Sequence, residues 1–179
     1  MRWLLLILTL IAAPMRAEEV VLGLSQDQVS ISTNFDGSEI TLYGAIKREE
    51  PIPSDEPLQV LVAISGPLEP VTVRRKDRRL GIWVNVDALS VSAAPSFYAI
   101  ATSAPWSDVI NEADDLRHTI SIPRAIRSVG AWSQVAEPQS FIDALIRIRT
   151  DNGLYALKEN AVELRDSTLF TTSIRMPAN

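Results

Sequence analysis

The chain has 179 residues, a formal net charge of −5 and 46% hydrophobic residues, which suits one folded domain of ordinary size. It contains no Cys and one His, so disulfide scaffolds, Cys-ligated metal centres, thiol catalysis and His-rich metal sites are excluded. The composition by itself therefore indicates neither a reaction nor a ligand.

The N-terminal segment is typical of a secretory signal peptide. Arg2 precedes a short apolar run, and polar sequence begins after Ala17. The run is shorter than the roughly 20 apolar residues that a membrane-spanning helix needs. We predict that residues 1–17 are a signal peptide, with an uncleaved anchor or a buried first helix as the alternatives. Removal of its two arginines would leave 15 basic and 22 acidic residues, a net charge of −7.

The first half of the mature chain, up to about residue 102, has the pattern of β-strands. Short apolar runs and alternation of apolar with polar residues predict strands, and Asp36-Gly37 and Ser65-Gly66-Pro67 are turn or stop signals. The spacing of these segments is typical of an antiparallel sandwich. The predicted strands cover residues 20–24, 29–32, 39–46, 58–64 (as a central strand), 71–73, 82–86 and 96–102.

After Pro105 the pattern becomes helical. We predict a helical turn at 106–110, a helix over 138–149 that ends at Asn152-Gly153, and a second short helix over 154–159. Strands follow at 161–164 and 167–174. The predicted fold is mainly β, an immunoglobulin-like antiparallel β-sandwich with a helical insertion at about 105–160. An α+β fold with helices on one sheet face is the alternative. We predict that residues 18–179 form one extracytoplasmic domain. Because it ends in turn residues after a strand, either the fold is complete without a returning strand or the chain is truncated at its C-terminus.

A dense basic run follows the strand that begins at Val71. Strand alternation predicts that Arg75 faces away from Arg74 and Lys76. The run is either a solvated hairpin or a patch that binds an acidic partner or anionic lipid headgroups. We interpret Trp83 as a core aromatic residue and Tyr98 as a core or tyrosine-corner residue. The candidate partner contacts are Arg74, Arg75, Lys76, Arg78 and Arg79.

The segment 112–118 is the other candidate site. His118 lies close to Asp114 and Asp115, which suggests acid–base chemistry, and Glu112 adds a possible ligand for a hard cation. The sequence has no nucleophile-elbow serine, no second His and no calcium-loop spacing. We therefore predict no enzyme activity, no catalytic or metal-binding residues and no cofactor. A periplasmic small-ligand-binding or hydrolytic domain that uses 112–118 remains the alternative.

Several segments together resemble the alphaproteobacterial putative transmembrane protein family. The block Arg74-Arg75-Lys76 leading into Gly81-Ile82-Trp83-Val84-Asn85 is the most specific part. The resemblance implies an N-terminal signal, an extracytoplasmic β-rich region and a C-terminal transmembrane helix, and it implies no activity. This sequence has no apolar run of spanning length after residue 17. The resembling segments are 23–31, 35–38, 43–46, 65–67, 73–78, 81–85 and 95–102.

These observations together predict an exported envelope protein. We expect it on the periplasmic side of the inner membrane, as a protein-interaction or accessory domain for a membrane or envelope protein. In the family the C-terminal helix would supply the membrane anchor. An acidic exported domain is a poor binder of nucleic acid, so we expect no nucleic-acid partner.

Overall fold

The structure, a computed structural model, describes residues 19–25, 37–47, 58–130, 135–166 and 168–177. The predicted signal peptide, the predicted strand over 29–32 and the last two residues lie outside these ranges. The described strands are β1 (Glu19–Leu24), β2 (Ser38–Lys47), β3 (Leu61–Ser65), β4 (Leu68–Arg79), β5 (Ile82–Pro95), β6 (Tyr98–Thr102), β7 (Tyr155–Lys158), β8 (Glu163–Arg165) and β9 (Leu169–Met176). The described helices are α1 (Trp106–Val109), α2 (Glu112–His118), α3 (Ile122–Ala125) and α4 (Pro138–Asp151).

Strands β3 to β6 form one long antiparallel ribbon that is bent in the middle. β3 pairs with β6 and β4 pairs with β5, and the same register continues from Ser65↔Tyr98 to Leu68↔Pro95. Across the bend, Gly66 N donates to Phe97 O and Ser96 N donates to Pro67 O, both at 2.8 Å. The ribbon therefore continues through the bend from a buried end to a turn at its far tip, with register shifts at Glu69/Val71 and Arg75/Lys76.

Close contact between the two sides of the ribbon explains the glycine at the bend. A Cβ atom on Gly66 would lie 2.5 Å from Ser96 Oγ and 3.0 Å from Phe97 N, so a larger residue would force the strands apart. The other side of the bend is held by Arg149 and Tyr155. The Arg149 guanidinium donates to Ser96 O at 3.0 Å, and the Tyr155 hydroxyl donates to Pro95 O at 2.8 Å.

The buried end of the ribbon lies between two hydrophobic clusters. All five residues of β6 are buried, and they alternate between the two sides. Tyr98 and Ile100 pack in a cluster with residues of α4, whereas Ala99 and Ala101 pack in a second cluster with β2 and β9. The molecule therefore has three layers: a four-stranded sheet in the order β1-β2-β9-β8, a three-stranded sheet in the order β3-β6-β7, and helices.

The mainly β fold class predicted from the sequence is confirmed, while the immunoglobulin-like arrangement is not. β7 pairs in parallel with β6, so the smaller sheet is not purely antiparallel. In the described part of the helical insertion predicted at about 105–160 there are four helices, but also this strand. The short helix predicted over 154–159 is therefore wrong: Tyr155 is 1% exposed because the segment completes the sheet that underlies the helices.

The predicted central strand and the predicted core position of Trp83 are wrong, whereas the long helix is confirmed. The segment predicted as a central strand is β3, which lies at the edge of its sheet, and β6 is the central strand. Trp83 is not a core residue, because it lies on the part of the ribbon that extends away from the clusters and is 68% exposed. The helix predicted over 138–149 is α4, whose Phe141 and Leu145 are buried.

Candidate functional site

The acidic and histidine residues of segment 112–118 lie on α2, and their contacts are those of a capped helix. Asn111 Oδ1 accepts a hydrogen bond from Asp114 N at 2.9 Å, which satisfies a free amide at the helix start. Asp115 Oδ1 accepts from Ser121 N at 2.7 Å, and its Oδ2 accepts from Arg124 Nε at 2.8 Å. The Asn111 amide and the Asp115 carboxylate therefore fix the path of the chain around α2 and α3.

The buried carboxylate of Asp115 is stabilised in its ionised form. Burial alone would raise its pKa, but the hydrogen bonds from Ser121 and Arg124 outweigh this effect and hold the pKa below its ordinary value. The Tyr98 hydroxyl donates to Ile120 O at 2.7 Å, which ties the same turn to β6. Burial, followed by the nearby charge of Asp115, raises the pKa of Tyr98.

His118 is exposed at the last turn of α2. The carboxylate of Glu112 lies 3.6 Å from the guanidinium of Arg124. Within the described ranges, no group of three His, Asp or Glu residues is placed to hold a metal ion. The observed contacts of this segment are structural, and they do not favour the small-ligand or hydrolytic alternative.

The basic run lies on the exposed half of the ribbon, which we call the outer arm and define as residues 74–87. Every residue from 74 to 83 is exposed, on both faces of the ribbon. Between the pair Arg75↔Asp87 and the turn, the arm extends for five residues, or about 17 Å at about 3.4 Å per residue. A two-stranded ribbon exposed on both faces projects from the body, so the arm is available for contact.

The cations of the outer arm divide between its two faces. Arg74, Lys76 and Arg78 alternate along β4 on one face, which we call the cationic face. None of these three forms an ion pair with any residue that the structure describes. Cross-strand from Arg78 lies Trp83, so an exposed indole shares the cationic face.

The two cations on the opposite face have carboxylate partners. Arg75 Nη2 donates to Asp87 Oδ2 at 2.6 Å, and this hydrogen bond raises the pKa of the Arg75 guanidinium. The same guanidinium lies 5.0 Å from the ring centre of Phe141 on α4. Arg79 Nε lies 3.2 Å from Asp77 Oδ2. The register agrees with the predicted facing of Arg75, whereas the role of all five cations as partner contacts stays a prediction.

The turn at the tip of the arm is formed by Leu80 and Gly81, whose φ angles are 50° and 88°. Two positive φ angles in a two-residue hairpin loop are typical of a type I′ turn. Leu80 is fully exposed, and Ile82 and Trp83 are 65% and 68% exposed. We call these three residues the apex. Sequence reasoning missed it, although Leu80-Gly81 between two strand patterns was a usable signal for a hairpin tip.

Charge is distributed very unevenly between residues 74–79, the basic run of the arm, and the rest of the chain. Residues 74–79 include five cations and one aspartate, a net charge of +4. Because the whole chain carries −5, the other 173 residues carry −9. A cationic projection on an acidic body creates a strongly directional field, which orients the arm toward negatively charged surfaces.

A shallow apolar groove lies on the outer face of the four-stranded sheet. Its volume is about 610 Å³, which is within the range of small-molecule sites. The Tyr43 ring lies against Gly23, where a Cβ atom would approach to 2.5 Å. The sequence did not indicate this groove. Residues that line it include Val21, Leu22, Tyr43, Leu169, Glu163 and Arg165.

A family model described as "Putative transmembrane protein (Alph_Pro_TM)" matches residues 19–179. The chain belongs to this family. The resemblance predicted from the sequence is therefore confirmed, and membership in Alph_Pro_TM supports an association with membranes. No curated protein and no solved structure matches the chain. Among the residues that the structure describes, no helix is both long and apolar enough to cross a bilayer.

Proposed function

We propose that this Alph_Pro_TM protein is an exported, non-enzymatic accessory domain that acts on the periplasmic side of the inner membrane. It binds an acidic surface of a membrane protein through the cationic face of the outer arm. The observation that carries the proposal is the exposure of Arg74, Lys76 and Arg78 on one face of a projecting ribbon, without a carboxylate partner in the described ranges.

The contrast between the two faces of the arm supports a contact role. Arg75 and Arg79 have carboxylate partners within the arm, at Asp87 and Asp77. The cations of the cationic face have no carboxylate partner among the described residues, although Arg78 Nε donates to Gly81 O at 3.3 Å. A partner's carboxylates can therefore pair with these cations without first displacing an internal carboxylate. Complementary charge of this kind raises association rates and orients the partner.

The setting of the contact comes from the family and from the N-terminal sequence. Membership in a family of membrane proteins supports a membrane-bound partner. The signal-peptide pattern of residues 1–17 supports the periplasmic side. The acidic remainder of the chain disfavours nucleic acid as the partner, because it would be repelled by phosphates.

The test is a triple charge reversal on the cationic face: Arg74→Glu, Lys76→Glu and Arg78→Glu in the full chain, expressed in its native host. We expect crosslinking and co-purification with a membrane protein to fall at least about tenfold, since a loss of about 1.4 kcal/mol is sufficient for that. The membrane fraction is solubilised after crosslinking, and the captured partner is identified by mass spectrometry.

A matched control carries the same change in charge at exposed cations outside the arm, at Arg127, Arg147 and Lys158. We expect this control to retain the partner. Retention of the partner by the arm variant, or equal loss in both variants, would contradict the proposal.

A further inference from the structure

We infer that the apex of the outer arm inserts into the interface of an anionic lipid bilayer. The inference rests on the proposed function, which places the arm at a membrane, and it adds lipid as a second ligand of the arm. The cationic face would contact the membrane protein and lipid headgroups, while the side chains of Leu80, Ile82 and Trp83 would enter the interface.

The fold gives no reason for a leucine at position 80. Its φ of 50° is left-handed, a conformation that crowds the Cβ atom of Leu and that Asn or Gly adopts more easily. Its side chain is fully exposed, so it gains no packing in return. An apolar side chain held in a disfavoured conformation at a solvent-exposed tip indicates a contact outside the molecule.

The neighbours of Leu80 have the chemistry of a membrane interface. Ile82 adds a second exposed apolar side chain, and the indole of Trp83 combines an apolar ring with a polar N–H, the combination enriched at headgroup level. Arg78 and Arg79 lie cross-strand from Trp83 and Ile82, so cations surround the apolar tip. Cations next to inserted apolar groups can remain with the phosphates.

The shape of the apex favours lipid over a protein pocket. The apex is a convex tip only three apolar residues in size, and a bilayer accepts such a tip without a complementary cavity. A protein partner would need a concave apolar pocket opposite it. The charge distribution also agrees, because the arm contains five cations and two aspartates, a net charge of +3, whereas the rest of the chain carries −8. Anionic headgroups therefore attract the arm and repel the body.

The length of the arm keeps the acidic body away from the headgroups. The apex lies about 17 Å beyond the pair Arg75↔Asp87, at about 3.4 Å per residue. The Debye length at physiological ionic strength is about 8 Å. Repulsion between the body and an anionic surface is therefore largely screened when the apex touches the bilayer.

The test is flotation of the exported chain with vesicles of phosphatidylethanolamine that either contain or lack phosphatidylglycerol. The apex variant is Leu80→Asn with Ile82→Thr, changes that keep the turn and the strand favourable. We expect the wild-type chain to float with the anionic vesicles and the apex variant to bind at least about tenfold more weakly. Brominated lipids should quench Trp83 fluorescence, measured as the difference from a Trp83→Phe variant.

The control variant is Leu116→Asn with Leu157→Thr, which removes two exposed apolar side chains outside the arm. We expect it to float like the wild-type chain. Equal flotation of the wild-type chain and the apex variant, equal loss in the control, or no flotation at all would overturn the inference.

The outcomes also separate the two proposals. If the wild-type chain does not float while the charge-reversed arm loses its membrane protein, the lipid contact is wrong and the proposed function stands. If flotation depends on the apex but the charge-reversed arm keeps the membrane protein, the proposed function is wrong and the lipid contact stands. If the apex variant floats normally but loses the membrane protein, the apex contacts protein, which overturns the lipid contact.

Discussion

The two halves of the long ribbon meet within the same pair of antiparallel strands, β4 and β5, with a register shift between Arg75 and Lys76, but they have opposite surroundings. In the base of the ribbon, residues 61–73 and 89–102, the side chains of Leu89, Val91 and Ile100 are at most 1% exposed. In the outer arm no residue from 74 to 83 is buried. An isolated two-stranded hairpin is marginal in water, so the arm depends on the base for its conformation. Because the fold does not depend on packing by the arm's side chains, these side chains can serve contacts with a partner at little cost to stability.

The largest difference in the free energy of unfolding should come from replacing an isoleucine by alanine in each half of the ribbon. Ile100 is 1% exposed and Ile82 is 65% exposed. We expect Ile100→Ala to lower the free energy of unfolding by about 2–5 kcal/mol, because it leaves a cavity in the base. Ile82→Ala should change the free energy of unfolding by less than about 0.5 kcal/mol. Urea unfolding followed by circular dichroism measures both values.

Similar costs for the two substitutions would show that the arm packs against something in solution. The division into a buried base and a free arm would then be wrong.

The ion pair of Asp115 with Arg124, next to the base, and that of Asp77 with Arg79, on the arm, should differ in how much they stabilise the fold. We expect this difference to be smaller than that between the two isoleucine substitutions. The side chains of Asp115 and Arg124 are 11% and 30% exposed, compared with 51% and 67% for Asp77 and Arg79. We expect Asp115→Asn to lower the free energy of unfolding by about 1–3 kcal/mol, since a shielded, charge-assisted hydrogen bond is lost. Asp77→Asn should cost less than about 0.5 kcal/mol, and less still in high salt.

The effect of Asp115→Asn should also depend on pH. The folded state holds the pKa of Asp115 below its ordinary 3.8, so the carboxylate stabilises the fold above that value. This contribution is lost as the pH falls through the lowered pKa. The stability difference between wild type and Asp115→Asn should therefore shrink in acid, and urea midpoints measured at neutral and acidic pH test this. A difference that is constant with pH would contradict the assigned ionisation.

The smallest change in stability should come from Leu80→Asn, which we expect to stabilise the fold slightly rather than destabilise it. Leu80→Asn replaces a residue at left-handed φ with one that tolerates this conformation and forms an Asn-Gly type I′ turn. We expect the free energy of unfolding to stay the same or to rise by up to about 1 kcal/mol. A clear loss of stability in the same urea experiment would mean that Leu80 packs against the protein itself.

Hydrophobic periodicity was enough to predict the elements whose partners lie close by or whose apolar face is regular. α4 could be predicted because Phe141 and Leu145 repeat with helical spacing, and both are buried. β7 could not, because its four residues become a strand only by parallel pairing with β6, a distant part of the chain. Local preference carries little information about such a partner.

The candidate site was predictable only in part, for a related reason. The five cations and the facing of Arg75 follow from composition and strand alternation. The exposure of Trp83 could not be predicted in this way. Alternation shows on which face of the strand a side chain lies, but it does not show whether another part of the protein covers that face. The pairing of Arg75 with Asp87 could not be predicted either, because a register shift next to this pair sets the alignment of the two strands.

The strand order of the four-stranded sheet determines when this protein can finish folding. β2 lies between β1 and β9 and pairs with β9 from Ser38↔Met176 to Ala45↔Leu169. A growing chain cannot complete this sheet until residue 176 has left the ribosome. Until then Leu42 and Ile46 on β2 cannot pack against the apolar side chains of β9. Pairing over such a separation is also slow, because the entropy of closing the loop is lost first. The nascent chain therefore stays accessible to chaperones or to a translocation channel at least until β9 has emerged from the ribosome.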